Sequence, residues 1–191
     1  MSPTNTADRR FQVRDLTHIA LFAVLMTACA WISIPMPKPL VPFTLQTFAM
    51  FAALITLGGC RGFYAIVVYL LLGAVGLPVF AGFQGGPGAL LGTTGGYLIG
   101  FLASALVYWA ITAHLGTGLK TVFLACVAGL AVCYAFGTAW FLFVYARTTG
   151  PIGLMTALGW CVFPFIGPDL IKIGLAVFLS RKLPVYLRRS R

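Results

Sequence analysis

Acid is scarce in this chain of 191 residues: Asp8, Asp15 and Asp169 are its whole acidic complement, and glutamate is absent. Charged residues of both signs make up 8% of the chain and hydrophobic ones 60%, whereas a soluble globular domain carries roughly 25% charge. That shortage excludes a soluble fold, because too little polar surface remains to cover a core. Catalytic signatures are missing too. There is no HExxH or GxSxG, and neither His18 nor His114 has an obvious partner for nucleophile chemistry. No Walker-type glycine loop occurs, so any energy from ATP must come from a partner. The five cysteines, Cys29, Cys60, Cys126, Cys133 and Cys161, lack zinc or iron spacing and read as small buried hydrophobes.

What remains is apolar sequence cut by breakers. A spanning helix needs about 20 apolar residues. On that measure the chain predicts an all-α integral membrane protein, a single membrane domain over 1–191, with six helices near 16–34, 43–57, 63–75, 97–115, 119–145 and 168–180. The first run follows basic residues as a signal peptide would, but no clear cleavage site comes after it, so it reads as a retained helix. It stops at Pro35-Met36-Pro37-Lys38-Pro39, a stretch short of amide donors. Between the third and fourth helices, residues 76–96 hold eight glycines and two prolines. Such a segment cannot be a regular lipid-facing helix; its backbone must lie against protein or line a cavity. Residues 146–167 predict a short helix or re-entrant piece before the last span.

The net charge of +10 is gathered at the ends and hinges and is not interleaved with aromatics, which argues for membrane topology and against nucleic acid. Arg9, Arg10, Arg14, Arg61, Lys120, Arg181, Lys182, Arg188, Arg189 and Arg191 fall on one side of a six-span layout, and Lys38 and Arg147 on the other. The positive-inside rule then puts both termini in the cytoplasm, and the Pro-rich and Gly-rich connections outside.

Asp169 reads as the sole carboxylate in the hydrophobic body, where an isolated charge costs at least about 3 kcal/mol. Lys172 follows at a spacing that puts both side chains on one helix face. Pro168 suits a first helical position, which would place Asp169 in the first turn, favoured by the helix dipole. At about 1.5 Å per residue Asp169 then stands roughly 18 Å above Arg181, beneath the outer surface, at the floor of a depression. A purely structural ion pair is the alternative, though desolvation makes such pairs weak stabilisers. Further polar atoms come from Thr44, Gln46 and Thr47 at the start of the second helix, with Thr44 equally suited to be its N-cap, and from Gln84 in the Gly-rich segment. Phe80, Phe83, Tyr97 and Trp31 supply an apolar or stacking wall.

The blocks VPFTLQTFAMFAALITLGGCRG, VVYLLLGAVGLPVFAGFQGG, LLGTTGGYLIGF and FPFIGPDLIKIGLA, spread from Trp31 to Ala176, resemble the BioY family. That resemblance implies a biotin-binding substrate component (S component) of an energy-coupling factor transporter, with six helices and the vitamin bound near the outer face. It implies as partners a transmembrane coupling protein and two ABC-type ATPases, with no cofactor in this chain itself; some relatives act without a dedicated module. It also implies that the Asp-x-x-Lys pair, here Asp169 and Lys172, contacts biotin. The pocket then suggests Lys172 for the carboxylate or its neighbourhood, Asp169 for a ligand N–H or for orienting Lys172, and Gln84 for a polar end. Membrane lipid is a further partner, and a second copy of the chain another possibility. In the first helix, Ala20, Ala23, Thr27 and Ala30 are the small residues suited to docking, with Val24 interrupting the repeat. A membrane enzyme and an assembly protein are the competing classes. The first suffers from a single intramembrane carboxylate without a partner histidine; the second leaves the Gly-rich segment unexplained.

Overall fold

The structure, a computed structural model, describes residues 13–36 and 41–182, the last two by backbone alone. Asp8, Arg9, Arg10, Pro37, Lys38, Pro39, Arg188, Arg189 and Arg191 lie outside the described residues. Helix α1 (Val13–Trp31) leads into a two-stranded antiparallel ribbon, β1 (Ser33–Ile34) and β2 (Phe43–Thr44), a small departure from an all-helical fold. Then come α2 (Gln46–Leu57), α3 (Gly59–Ala74), α4 (Pro87–Leu91), α5 (Gly95–Leu115), α6 (Leu119–Thr148), α7 (Leu154–Cys161) and α8 (Phe163–Lys182). Among the described residues, α1, α5, α6 and α8 are long and apolar enough to cross a membrane, while α2 and α3 are apolar but shorter.

Several boundaries differ from the sequence reading for local reasons. Ile34 belongs to the ribbon and not to α1, because Ile34 pairs with Phe43 and Ser33 with Thr44. The GGCRG stretch is no loop: α3 begins at Gly59, and Gly58 alone, at φ +84, turns the chain between α2 and α3. The last helix starts at Phe163, so Pro168 sits inside it and Asp169 lies beyond the first turn. Pro164 occupies the early position that the sequence reading gave to Pro168, and the dipole argument for Asp169 falls with that change.

The longest contact in the bundle joins α5 and α6. Its seam is made of small residues one turn apart, Gly96, Gly100 and Ser104 on α5 facing Gly129, Cys133 and Gly137 on α6. In lipid, apolar surface alone does not drive helices together, so close backbone approach and dispersion have to. The Tyr97 ring lies over Gly137, and Trp140 covers Gly96. The face of α1 is also split. Ala23, Thr27 and Ala30 are buried in the core, whereas Ala20 and Val24 are exposed, so only part of the expected small-residue set is open to a partner.

Residues 75–94 leave the regular helix pattern, with a single 3-10 turn at Ala81–Phe83 and the short α4. Their carbonyls are held by side chains from three helices: Trp31 Nε1 donates to Pro78 O at 2.8 Å, Tyr69 OH to Val79 O at 3.1 Å, and Trp140 Nε1 to Gly92 O at 3.0 Å. Gly86 N donates to Gly73 O at 2.7 Å. Irregular backbone is tolerated in an apolar bundle only when its polar groups are satisfied in this way.

A Cβ at Gly129 would stand 2.6 Å from Ser104 Oγ and 3.0 Å from the Ser104 carbonyl oxygen. Gly129→Val is therefore expected to lose about 1–3 kcal/mol through overpacking, read as a lower melting temperature in detergent; an unchanged melting temperature would contradict a close-packed α5–α6 seam.

Candidate functional site

Asp169 and Lys172 project from α8 toward the start of α2 and the middle of α6, and their relative exposures are 3% and 4%. Lys172 Nζ donates to Asp169 Oδ1 at 2.7 Å, to the Thr44 carbonyl oxygen at 2.7 Å and to Thr47 Oγ1 at 3.2 Å. The Thr47 hydroxyl in turn donates to Asp169 Oδ1 at 2.9 Å, and Tyr134 OH donates to Asp169 Oδ2 at 2.5 Å. The ammonium also lies 4.1 Å from the centre of the Phe43 ring, which stacks on Phe165 at 6.4 Å. Burial of an ion pair is tolerable only when its remaining protons and lone pairs find partners. Here they do.

Counting donors and acceptors shows what is left over. An ammonium has three N–H donors, and Lys172 spends all of them. A carboxylate offers about four lone-pair positions, of which Asp169 uses two on Oδ1 and one on Oδ2. The phenol oxygen of Tyr134 keeps its accepting capacity after donating. The network is neutral as a whole and presents spare acceptors. It suits a ligand that brings N–H groups.

This network forms part of the wall of a cavity of about 790 Å³. Thr44, Gln46, Phe80, Gln84, Tyr97, Asp169 and Lys172, all singled out in the sequence, line it. Trp31 does not line it: its indole bonds to Pro78 and packs on Phe83 with ring centres 5.1 Å apart, so it braces the glycine-rich segment from outside. Nor is Thr44 the helix cap. Leu45 takes that position, and the Thr44 hydroxyl accepts from Gln46 N at 3.3 Å while its carbonyl serves Lys172.

Gln46 is buried at 4% exposure and donates through Nε2 to Tyr69 OH at 2.7 Å, the same hydroxyl that holds Val79 O. One proton on Nε2 and the amide oxygen of Gln46 meet no partner among the described residues. Gln84 is exposed at the cavity rim, and Tyr97 OH bonds to Thr138 Oγ1 at 3.0 Å.

Among the site residues that the sequence reading missed, Tyr134 hydrogen-bonds directly to the pair. The signal available was a hydroxyl-bearing ring in the middle of a long apolar helix, but which face it occupied was not legible. Asp15 is a second surprise: it is buried in α1 at 7% exposure and paired with Arg61 at 3.1 Å, so Asp169 is not the bundle's one embedded carboxylate.

Comparison with known proteins decides the family. The model of the BioY family matches residues 3–189. This chain belongs to the BioY family. It is 39% identical over 171 residues to the "Biotin transporter BioY" of Thermotoga maritima, covering 90% of this chain and 96% of that one. It is 38% identical to the "Probable biotin transporter BioY" of Pyrococcus horikoshii, covering 90% and 97%. Its fold resembles a crystal structure of the S-component for biotin from an ECF-type ABC transporter, with a TM-score of 0.80 and 26% identity over 94% of this chain and 93% of that one. The BioY relatives are named as transporters and not as enzymes, and with four long apolar helices among its described residues the chain is a multi-pass membrane protein.

Removing one partner of a buried pair leaves the other uncompensated. Lys172→Met is expected to cost about 3–5 kcal/mol of stability, and the double change Asp169→Leu with Lys172→Met to recover most of it. Chemical denaturation of the three proteins checks this, and a double variant no more stable than Lys172→Met would refute the pairing account.

Proposed function

We propose that this protein binds biotin and is the substrate-specific S component of an energy-coupling factor transporter, set in the cytoplasmic membrane with both termini in the cytoplasm. The observation that carries the reading is the neutral Asp169–Lys172–Thr47–Tyr134 network on the wall of a large apolar cavity, in a chain of the BioY family. Biotin's ureido group offers N–H donors and a carbonyl, and its fused rings need an apolar wall. The spare acceptors of Asp169 Oδ2 and Tyr134 match the ureido N–H groups, and the uncommitted Nε2 proton of Gln46 matches its carbonyl. Phe80, Tyr97 and Phe165 serve as the apolar wall, and Gln84 as a polar contact at the rim.

Counting α2 and α3 as short spans gives six crossings, which agrees with basic residues at both chain ends. The cavity then faces outward, and the Asp15–Arg61 pair lies toward the cytoplasm. The chain carries no nucleotide-binding loop, so concentrating biotin falls to a transmembrane coupling protein and two ATPases. Cells producing this chain without those partners are expected to bind labelled biotin and not to accumulate it; accumulation there would exclude the need for them.

Asp169→Asn keeps the shape but turns an accepting oxygen into a donor. Biotin affinity is expected to fall at least tenfold, since a mismatched buried hydrogen bond to a charged group is worth roughly 1.5–3 kcal/mol. Calorimetry on the purified variant checks it, and an unchanged affinity removes Asp169 from the ligand shell. Biotin, unlike other vitamins, is expected to raise the melting temperature of the parent protein.

A further inference from the structure

Tyr69 is completely buried on α3 and does not line the cavity, yet its hydroxyl joins two groups that shape it. It donates to the Val79 carbonyl oxygen at 3.1 Å and accepts from Gln46 Nε2 at 2.7 Å. A phenol has one proton and a carbonyl oxygen can only accept, so the Val79 bond takes that proton. The Tyr69 oxygen then has only lone pairs to offer Gln46, and the NH₂ end of the amide must face it. Turned over, the amide would set Oε1 against the phenol oxygen. The other course would draw the proton from Val79 and strand a carbonyl in the glycine-rich segment, where backbone groups need protein partners.

The consequence lies on the other edge of the same amide. Gln46 lines the cavity at 4% exposure, and its Oε1 and second Nε2 proton have no partner among the described residues. A glutamine amide free to turn would exchange the places of that donor and acceptor, and a ligand would have to order it on binding. The Tyr69 hydroxyl removes the ambiguity beforehand. Its ring also packs edge-on against Phe80, 5.4 Å between centres, and Phe80 forms part of the cavity wall over Gly73.

Resting on the biotin reading above, we propose that Tyr69 is a positioning residue for ligand binding: outside the cavity, its hydroxyl takes its direction from the Val79 carbonyl and fixes which edge of the Gln46 amide the ligand meets. The glycine-rich segment thereby sets the hydrogen-bonding polarity of a side chain that it does not itself carry.

A double-mutant cycle on the purified full chain, with biotin affinity measured by calorimetry, tests this. Tyr69→Phe keeps the ring against Phe80 and removes the hydroxyl, and affinity is expected to fall about tenfold. In a Gln46→Met background the same change is expected to alter affinity by less than about twofold, because no amide remains to be oriented. An equal loss in both backgrounds would mean that Tyr69 only supports the segment, and overturns the proposal. Unchanged affinity in Tyr69→Phe or in Gln46→Met overturns it too. The unsubstituted chain gives a second readout through isotopic nitrogen labelling of its glutamines, Gln12, Gln46 and Gln84. The Gln46 side-chain signal, identified by its loss in Gln46→Met, is expected to show one slowly exchanging proton without ligand and two with biotin; two rapidly exchanging protons without ligand, or no response to biotin, count against the proposal. Failure of biotin to bind the unsubstituted chain would instead refute the function reading.

Discussion

An ammonium and a carboxylate buried side by side in an apolar bundle set a demand that neighbouring elements have to meet. Three N–H donors and several lone pairs are withdrawn from water at once, and the low dielectric makes each unmet one expensive. Helix α8 supplies both charges one turn apart, but the rest of the shell comes from elsewhere. The Thr44 carbonyl sits at the end of the ribbon, Thr47 in the first turn of α2 and Tyr134 halfway along α6. The ribbon, the start of α2 and the register of α6 against α8 are thereby tied to one small volume. Neutrality of the completed set leaves the cavity with acceptors to offer and, among the described residues, no free cation at that level.

Around this centre two kinds of packing divide the work. The α5–α6 seam brings backbones close through small residues, with the Tyr97 and Trp140 rings seated over Gly137 and Gly96. The segment between α3 and α5 does the opposite: it gives up helical hydrogen bonds and depends on Trp31, Tyr69 and Trp140 to satisfy its carbonyls. Irregular backbone there leaves room for a cavity that a continuous helix would fill. Tyr69 joins the two regions, because its hydroxyl takes a proton from Gln46 in the cavity wall and gives one to Val79 in the segment.

Much of this was legible from composition and local spacing. Apolar runs, the scarcity of charge and the glycine-rich interruption are properties of short windows, and they announced a helical membrane chain with one irregular stretch. The spacing of Asp169 and Lys172 likewise placed both on one helix face, whatever the helix start. That start was misjudged, because two prolines, Pro164 and Pro168, both suit an early helical position, and the helix begins at Phe163 with Pro164 filling it.

The partners of the pair were the harder part. Thr47 lies 122 residues from Asp169, Thr44 128 from Lys172, and Tyr134 35 from Asp169, so no window holds them together. Trp31 had the composition of a pocket wall, yet tertiary packing turned it outward to brace the glycine-rich segment. The sequence by itself determined the class of fold, the family and the two buried charges, because those follow from hydrophobicity and short-range spacing. Only the tertiary structure decided which groups satisfy the pair and which side chains gather around the cavity, because that depends on how distant helices meet.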